Sequence, residues 1–141
     1  MELQRAADAQ IHAVTALLKA RGLSPTQYNV LRILRGAGEE GLPCREVGER
    51  MIKRVPDVTR LLDRMEAKGW VKRRRLARDR RVVQVRITPA GLKLVGSLDE
   101  PVRGLHRRRL GRMGEKKLRA LLRLLEEARR CADLDGSGQE P

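Results

Sequence analysis

Between Lys53 and Arg86 the sequence reads KRVPDVTRLLDRMEAKGWVKRRRLARDRRVVQVR, a pattern that admits few folds. Val58, Leu61, Leu62 and Met65 recur at i, i+3, i+4 and i+7, which lays one apolar stripe along a helix. That stripe must pack against a core. On the opposite side of the same projection stand Pro56, Thr59, Arg60, Asp63, Arg64 and Ala67, groups short enough or polar enough to be laid against another surface. Lys68 and Gly69 suit the helix end, a cation at its negative pole and a residue that tolerates left-handed backbone. Beyond them Val71–Arg75 and Arg81–Ile87 read as two strands around a short basic tip.

Charge limits what such a helix and hairpin can face. The formal net charge is +14, and between Lys68 and Arg86 nine Lys or Arg stand against one acid, Asp79. Cation density this concentrated points to a polyanionic partner. Membrane surface is one such partner, yet no run approaches the roughly 18 apolar residues of a spanning helix. The N-terminal MELQRAADAQ also lacks the cationic-then-apolar layout of a signal peptide, so a cytoplasmic chain with no membrane role is expected. Single strands are bound on several aromatic faces, whereas this chain has no Phe, one Tyr and one Trp. Duplex nucleic acid fits better. Two cysteines, Cys44 and Cys131, are too few for a stapled scaffold, and with His12 and His106 they make no metal-ligand spacing. There is no Ser, His, Asp set and no paired carboxylate in a cleft-like context, so neither an enzyme, a metal nor a cofactor is expected.

At 141 residues a single core is the default. Leu3, Ala7, Ile11, Val14 and Leu18 form a first helical stripe over residues 2–21, closed by Gly22. Ser24, Pro25, Thr26 and Gln27 start a second helix, running to about Arg35, with a capping hydroxyl, Pro at the first position and a Gln able to reach back. Residues 36–41, GAGEEG, share the glycine spacing of a dinucleotide fingerprint, but that motif needs a strand before it. Here a helix precedes it and Glu39 and Glu40 would repel phosphates, so a plain turn is expected.

Cys44 to about Met51 reads as a short helix with Val47 and Met51 inward and Gly48 where a crossing helix can approach. A tight connection, Ile52–Arg54, joins it to the next helix; with the basic hairpin the pair makes a helix-turn-helix with a wing. Thr88 and Pro89 start a long helix carrying Leu92, Val95, Leu98, Val102 and Leu105, in which Pro101 predicts a kink or break near Leu98–Glu100. Asp99 is then a cap for the second segment. From about Glu115, Leu118, Leu121, Leu122 and Leu125 form a last stripe. Apolar surface at both ends exceeds what a small winged-helix core can cover, which predicts burial against a second copy. The final DLDGSGQEP has the composition of a flexible tail.

The run from SPTQYNVLRIL through CREVGERM and VTRLLDRMEAKGWVKRRR to DRRVVQVRITPAG resembles the MarR family of bacterial transcriptional regulators, over Leu23 to about Leu98. Its most specific pieces are TRLLDRMEAKGWV and the wing DRR followed by TPAG. The resemblance implies a mainly α, α+β fold in one domain, residues 1–132, followed by a tail, 133–141. Within it the winged lobe spans 23–88, and dimerisation helices lie at 1–22 and 89–132. It further implies an obligate homodimer, a recognition helix in the major groove and a wing whose tip Arg enters the minor groove. By position these roles fall on Arg60 in the helix and on Arg75, Asp79 and Arg81 in the wing. Many relatives have Ser or Thr at the start of the recognition helix; this chain has Val55, Pro56 and Asp57, and Arg54 is the substitute contact. Many members release DNA on binding small, often phenolic or anionic effectors.

The expected DNA-contacting set is Arg54, Pro56, Asp57, Thr59, Arg60, Arg64, Arg75, Arg78, Asp79, Arg80 and Arg81. Arg60 and Arg64 can each engage a guanine's two acceptors or grip phosphate; the competing reading is a solvated helix face paired with Asp57 and Asp63. Arg78, Arg80 and Arg81 suit a narrow minor groove. Asp79 orients an Arg or makes the turn, and Asp63 is an orienting partner. Trp70 reads as a core plug at the helix-to-wing junction. Cys44 opens a helix whose dipole can lower a thiol's pKa, so it is either a redox switch or an inert half-buried residue. Two functions follow: a repressor-type regulator specific for a pseudo-palindromic duplex, or an architectural or RNA-associated winged-helix module with little sequence choice.

Overall fold

The Ser24 hydroxyl accepts from the Gln27 amide at 3.1 Å while the Gln27 side chain accepts from Ser24 N at 3.0 Å. This is the reciprocal cap that the sequence predicts, with Pro25 in the first helical position. The structure, a computed structural model, describes residues 1–136, which divide into two units, Met1–Val102 and Arg103 onward. In the first unit α1 (Glu2–Lys19) precedes α2 (Pro25–Ala37), which buries Tyr28, Val30, Leu31 and Leu34. Gly36 and Ala37 of GAGEEG are the last residues of this helix, which runs two positions past the expected Arg35, and Gly38–Gly41 form the turn, closed by Gly38 N on Arg35 O and Gly41 N on Gly38 O.

The turn leads into β1 (Leu42–Pro43), too short to show any alternation in the sequence. Strand β1 pairs antiparallel with β3 (Val83–Ile87), and β3 with β2 (Val71–Arg75), in the order β1–β3–β2. Val85 stands at the centre, opposite Leu42 on one side and Arg73 on the other. Strand β3 begins at Val83, two residues later than expected. Arg81 N bonds Asp79 Oδ1 and Val82 N bonds Asp79 O, both at 3.0 Å, so these two residues belong to the turn.

Helices α3 (Cys44–Arg50) and α4 (Val58–Ala67) form the helix-turn-helix. Leu61, Leu62 and Met65 are buried and Val58 is half-buried, as the stripe requires. A Cβ added to Gly48 would lie 3.0 Å from Val58 Cγ2, a measure of how closely the two helices cross. Their connection is longer than Ile52–Arg54. Asp57 accepts from Arg60 N at 2.8 Å and caps α4, which leaves Val55 and Pro56 outside the helix. Ile52 N donates to Asn29 Oδ1 at 2.9 Å and ties the connection to α2. After α4, Gly69 takes φ +73° and Trp70 N returns to Met65 O. Trp70 packs half-buried against the core with Lys68 Nζ 4.5 Å from its ring centre.

The core of this unit joins Leu18, Leu31, Leu34, Val47, Leu62, Met65, Val71, Val85, Val95 and Leu98, so every helix and both wing strands contribute. Thr88 caps α5 (Pro89–Leu110), its hydroxyl accepting from Gly91 N at 3.1 Å. The helix runs through Pro101 without the expected break. Val95 and Leu98 on one side of the proline and Val102 on the other pack against the core, which offsets the one missing donor. With the helix continuous there is no second segment for Asp99 to start; it accepts two bonds from Arg35, at 2.8 and 3.0 Å, and ties α5 to α2.

The second unit holds the end of α5, a short 3-10 turn (Gly111–Met113) and α6 (Glu115–Gly136). Leu118 and Leu121 are half-buried while Leu122, Leu124 and Leu125 are exposed. Helix α6 continues through 133–136, the first part of the segment expected as tail, and 137–141 lie outside the described residues.

Candidate nucleic-acid interface

Once the stripe of α4 is buried, its other side is committed to solvent. Thr59, Arg60, Asp63, Arg64 and Ala67 are all exposed there, with Arg54, Pro56 and Asp57 exposed just before the helix. The two acids that could quench these arginines are engaged elsewhere. Asp57 caps the helix, and Asp63 pairs with Arg73 Nη2 from β2. Among the described residues no acid pairs with Arg54, Arg60, Arg64, Arg78 or Arg80.

The hairpin tip is closed by its own side chains. Arg75 Nη1 donates to Arg80 O at 2.8 Å, and Asp79 Oδ1 accepts from Arg81 N at 3.0 Å and from Arg81 Nε at 3.3 Å. Asp79 therefore makes the turn and orients Arg81, while Arg75 clamps the loop backbone. Arg78, Arg80 and Arg81 stay exposed around it.

Arg73 is inconspicuous in the sequence and prominent in the fold. Its amide donates to Glu66 Oε1 at 2.9 Å, its Nε and Nη2 to Glu66 Oε2 at 3.1 and 2.8 Å, and Nη2 also reaches Asp63. The available signal was alternation: Arg73 shares a strand face with buried Val71, and a cation on that face needs an acid. Hydrogen bonds from Arg73 hold the Glu66 carboxyl below the usual carboxylate range, burial opposing. Burial pulls Arg73 down, but its bonds to Glu66 and Asp63 outweigh this and leave it raised.

A carboxyl lowered in the folded state stabilises at pH above its unfolded value, about 4.3 for Glu, and that contribution is lost as pH falls through the folded value. The tie between helix and wing is thus complete at neutral pH and fails only in acid. Carboxyl-carbon NMR should find Glu66 titrating below the ordinary range, and Arg73→Gln should return it there. A Glu66 midpoint unmoved by that substitution would show that the bonds do not form in solution.

Cys44 lines a cleft between α3, α4 and the wing, together with Thr59, Arg73 and Arg81. Burial pushes its thiol up, with Arg73 and a hydrogen bond to Thr59 opposing. A raised thiol holds little thiolate at neutral pH, which favours the inert reading over the redox switch. Among the described residues no group of three or more His, Cys, Asp or Glu could hold a metal ion, and no helix is long and apolar enough to cross a membrane.

Two crossed helices, a three-stranded sheet and a cationic hairpin beside the exposed helix face define a winged helix-turn-helix protein. The chain belongs to the MarR family, whose model matches residues 21–82. The crystal structure of a MarR transcription factor from Planctomyces limnophilus is 41% identical, with a TM-score of 0.70 over 88% of this chain and 90% of that one. The HTH-type transcriptional regulator TtmR of Methylorubrum extorquens is 39% identical over 94 residues, 67% of this chain and 47% of its own. The HTH-type transcriptional repressor IacR of Pseudomonas putida is 33% identical over 110 residues, 78% of this chain and 65% of its own. The chain spans 47% and 65% of the length of these two curated relatives.

Proposed function

We propose that this chain is a sequence-specific, duplex-DNA-binding transcriptional regulator of repressor type, acting in the cytoplasm as a homodimer on a pseudo-palindromic operator. The observation that carries the reading is the set of guanidinium groups with no acid partner among the described residues: Arg60 and Arg64 on α4, where Asp57 and Asp63 are used elsewhere, and Arg78 and Arg80 at the wing tip. Arg60 and Arg64 read guanine or grip phosphate in the major groove; Arg54 and Thr59 meet the backbone beside them. Arg78, Arg80 and Arg81 enter the minor groove, on a tip that Arg75 and Asp79 shape. Pro56 and Asp57 set where the helix begins. A second copy supplies the other half-site, about 34 Å away. In support of pairing, Leu3 and Ile11 on α1 are 64% and 58% exposed, and Leu122 and Leu124 on α6 are 58% and 62% exposed. Large apolar groups left open in a single chain are what an interface covers. A small effector that releases the DNA completes the reading, by likeness to the family.

Selection of bound genomic fragments by the purified protein tests this directly, since it returns one enriched palindrome if the reading is correct. Arg60→Ala should then weaken binding to that fragment by roughly 1 to 3 kcal/mol and relax the choice of base at one position. Fluorescence anisotropy against the selected and a scrambled duplex at fixed salt measures both. Equal affinity of the unmodified protein for scrambled DNA or structured RNA would replace the regulator with an architectural module.

A further inference from the structure

We infer that Arg73 is a positioning residue for DNA reading: it holds the recognition helix at a fixed orientation to the wing and withholds two carboxylates from the DNA-facing surface. This rests on the DNA-binding reading above and adds to it a residue that touches no DNA. Arg73 stands on β2 opposite Val85, with its side chain only 20% exposed, while Asp63 and Glu66 belong to α4. The strand residue therefore bonds across to two successive positions of one helix face, Asp63 and Glu66 lying i and i+3. A planar guanidinium takes acceptors in fixed directions, so the tie constrains rotation as well as distance. It also answers an electrostatic difficulty. Asp63 is 55% exposed beside Arg60 and Arg64, and without Arg73 it and Glu66 would set two unpaired negative charges against phosphate.

Glu66→Gln separates positioning from direct contact, because the two predict opposite signs. It keeps side-chain volume and leaves Arg73 in place, but it removes the charged acceptor. Were Arg73 itself a phosphate clamp, freeing it and deleting a negative charge would tighten binding to every duplex. Under positioning, affinity for the duplex selected by the unmodified protein falls about tenfold or more, the factor a lost charge-assisted bond carries, while affinity for a scrambled duplex of equal length does not fall. Arg73→Lys, which keeps the charge and loses the planar fork, should reproduce that loss of preference. Tightening on both duplexes, equal weakening on both, or full preference in both variants would overturn the inference. Thermal melting of each variant confirms that the comparison is between folded proteins, and if Arg73→Lys does not fold, Glu66→Gln alone decides. An unmodified protein with no preference between the two duplexes would instead remove the DNA reading, and this inference with it.

Discussion

Gly41→Ala is expected to destabilise the winged lobe by roughly 3 kcal/mol or more, the sum of a strained backbone and a steric conflict. Gly41 has φ +69°, a region in which a side chain is disfavoured, and a Cβ there would lie 2.0 Å from Val85 O and 2.9 Å from Val85 C. Val85 cannot give way easily. It is fully buried and sits in the middle strand, with Leu42 opposite on one side and Arg73 on the other. The conflict must therefore lift β1 from β3, and α3 begins at the very next residue, Cys44. Thermal denaturation should show a lower midpoint, with DNA binding falling in parallel. A midpoint equal to that of the unmodified protein would mean that β1 is not held against β3.

Leu62→Ala should cost roughly 2 to 5 kcal/mol, the usual range when a buried Leu leaves a cavity that its surroundings only partly fill. Leu62 is 0% exposed on the inner stripe of α4, in one core cluster with Leu31, Leu34, Val47, Met65 and Val95. The denaturant midpoint should fall with little change in slope, as for a loss of stability without a change in the surface exposed. Paired with Arg60→Ala, this substitution separates two uses of one helix. The inner change moves the melt, and the outer one moves the preference among DNA sequences while the melt stays where it was. A melt lowered by Arg60→Ala would assign that side chain to the fold.

Much of this architecture is legible in the sequence because it is written in short-range periodicity and local cap chemistry. The stripe of α4, the Ser24–Gln27 cap and the bounds of β2 all depend on residues within a few positions of one another, and each stands where the pattern places it. What escaped depends on contacts between different elements. Strand β1 exists because Leu42 finds Val85, and Asp99 is bonded to Arg35, 64 positions away. Pro101 stays within a helix because tertiary packing outweighs a local penalty. The tie from Arg73 to Glu66 crosses from strand to helix, so no periodicity announces it.

The hairpin tip has a consequence for the time course of association. Arg75 on Arg80 O and Asp79 on Arg81 N close the loop before any partner arrives, so its conformational freedom was surrendered during folding. A groove that receives a loop already shaped need not immobilise it, and less of the contact energy goes into ordering. On the proposed reading, association with DNA is then governed by how the molecules approach and turn, which the long-range field of the cations hastens in dilute salt and salt screening slows.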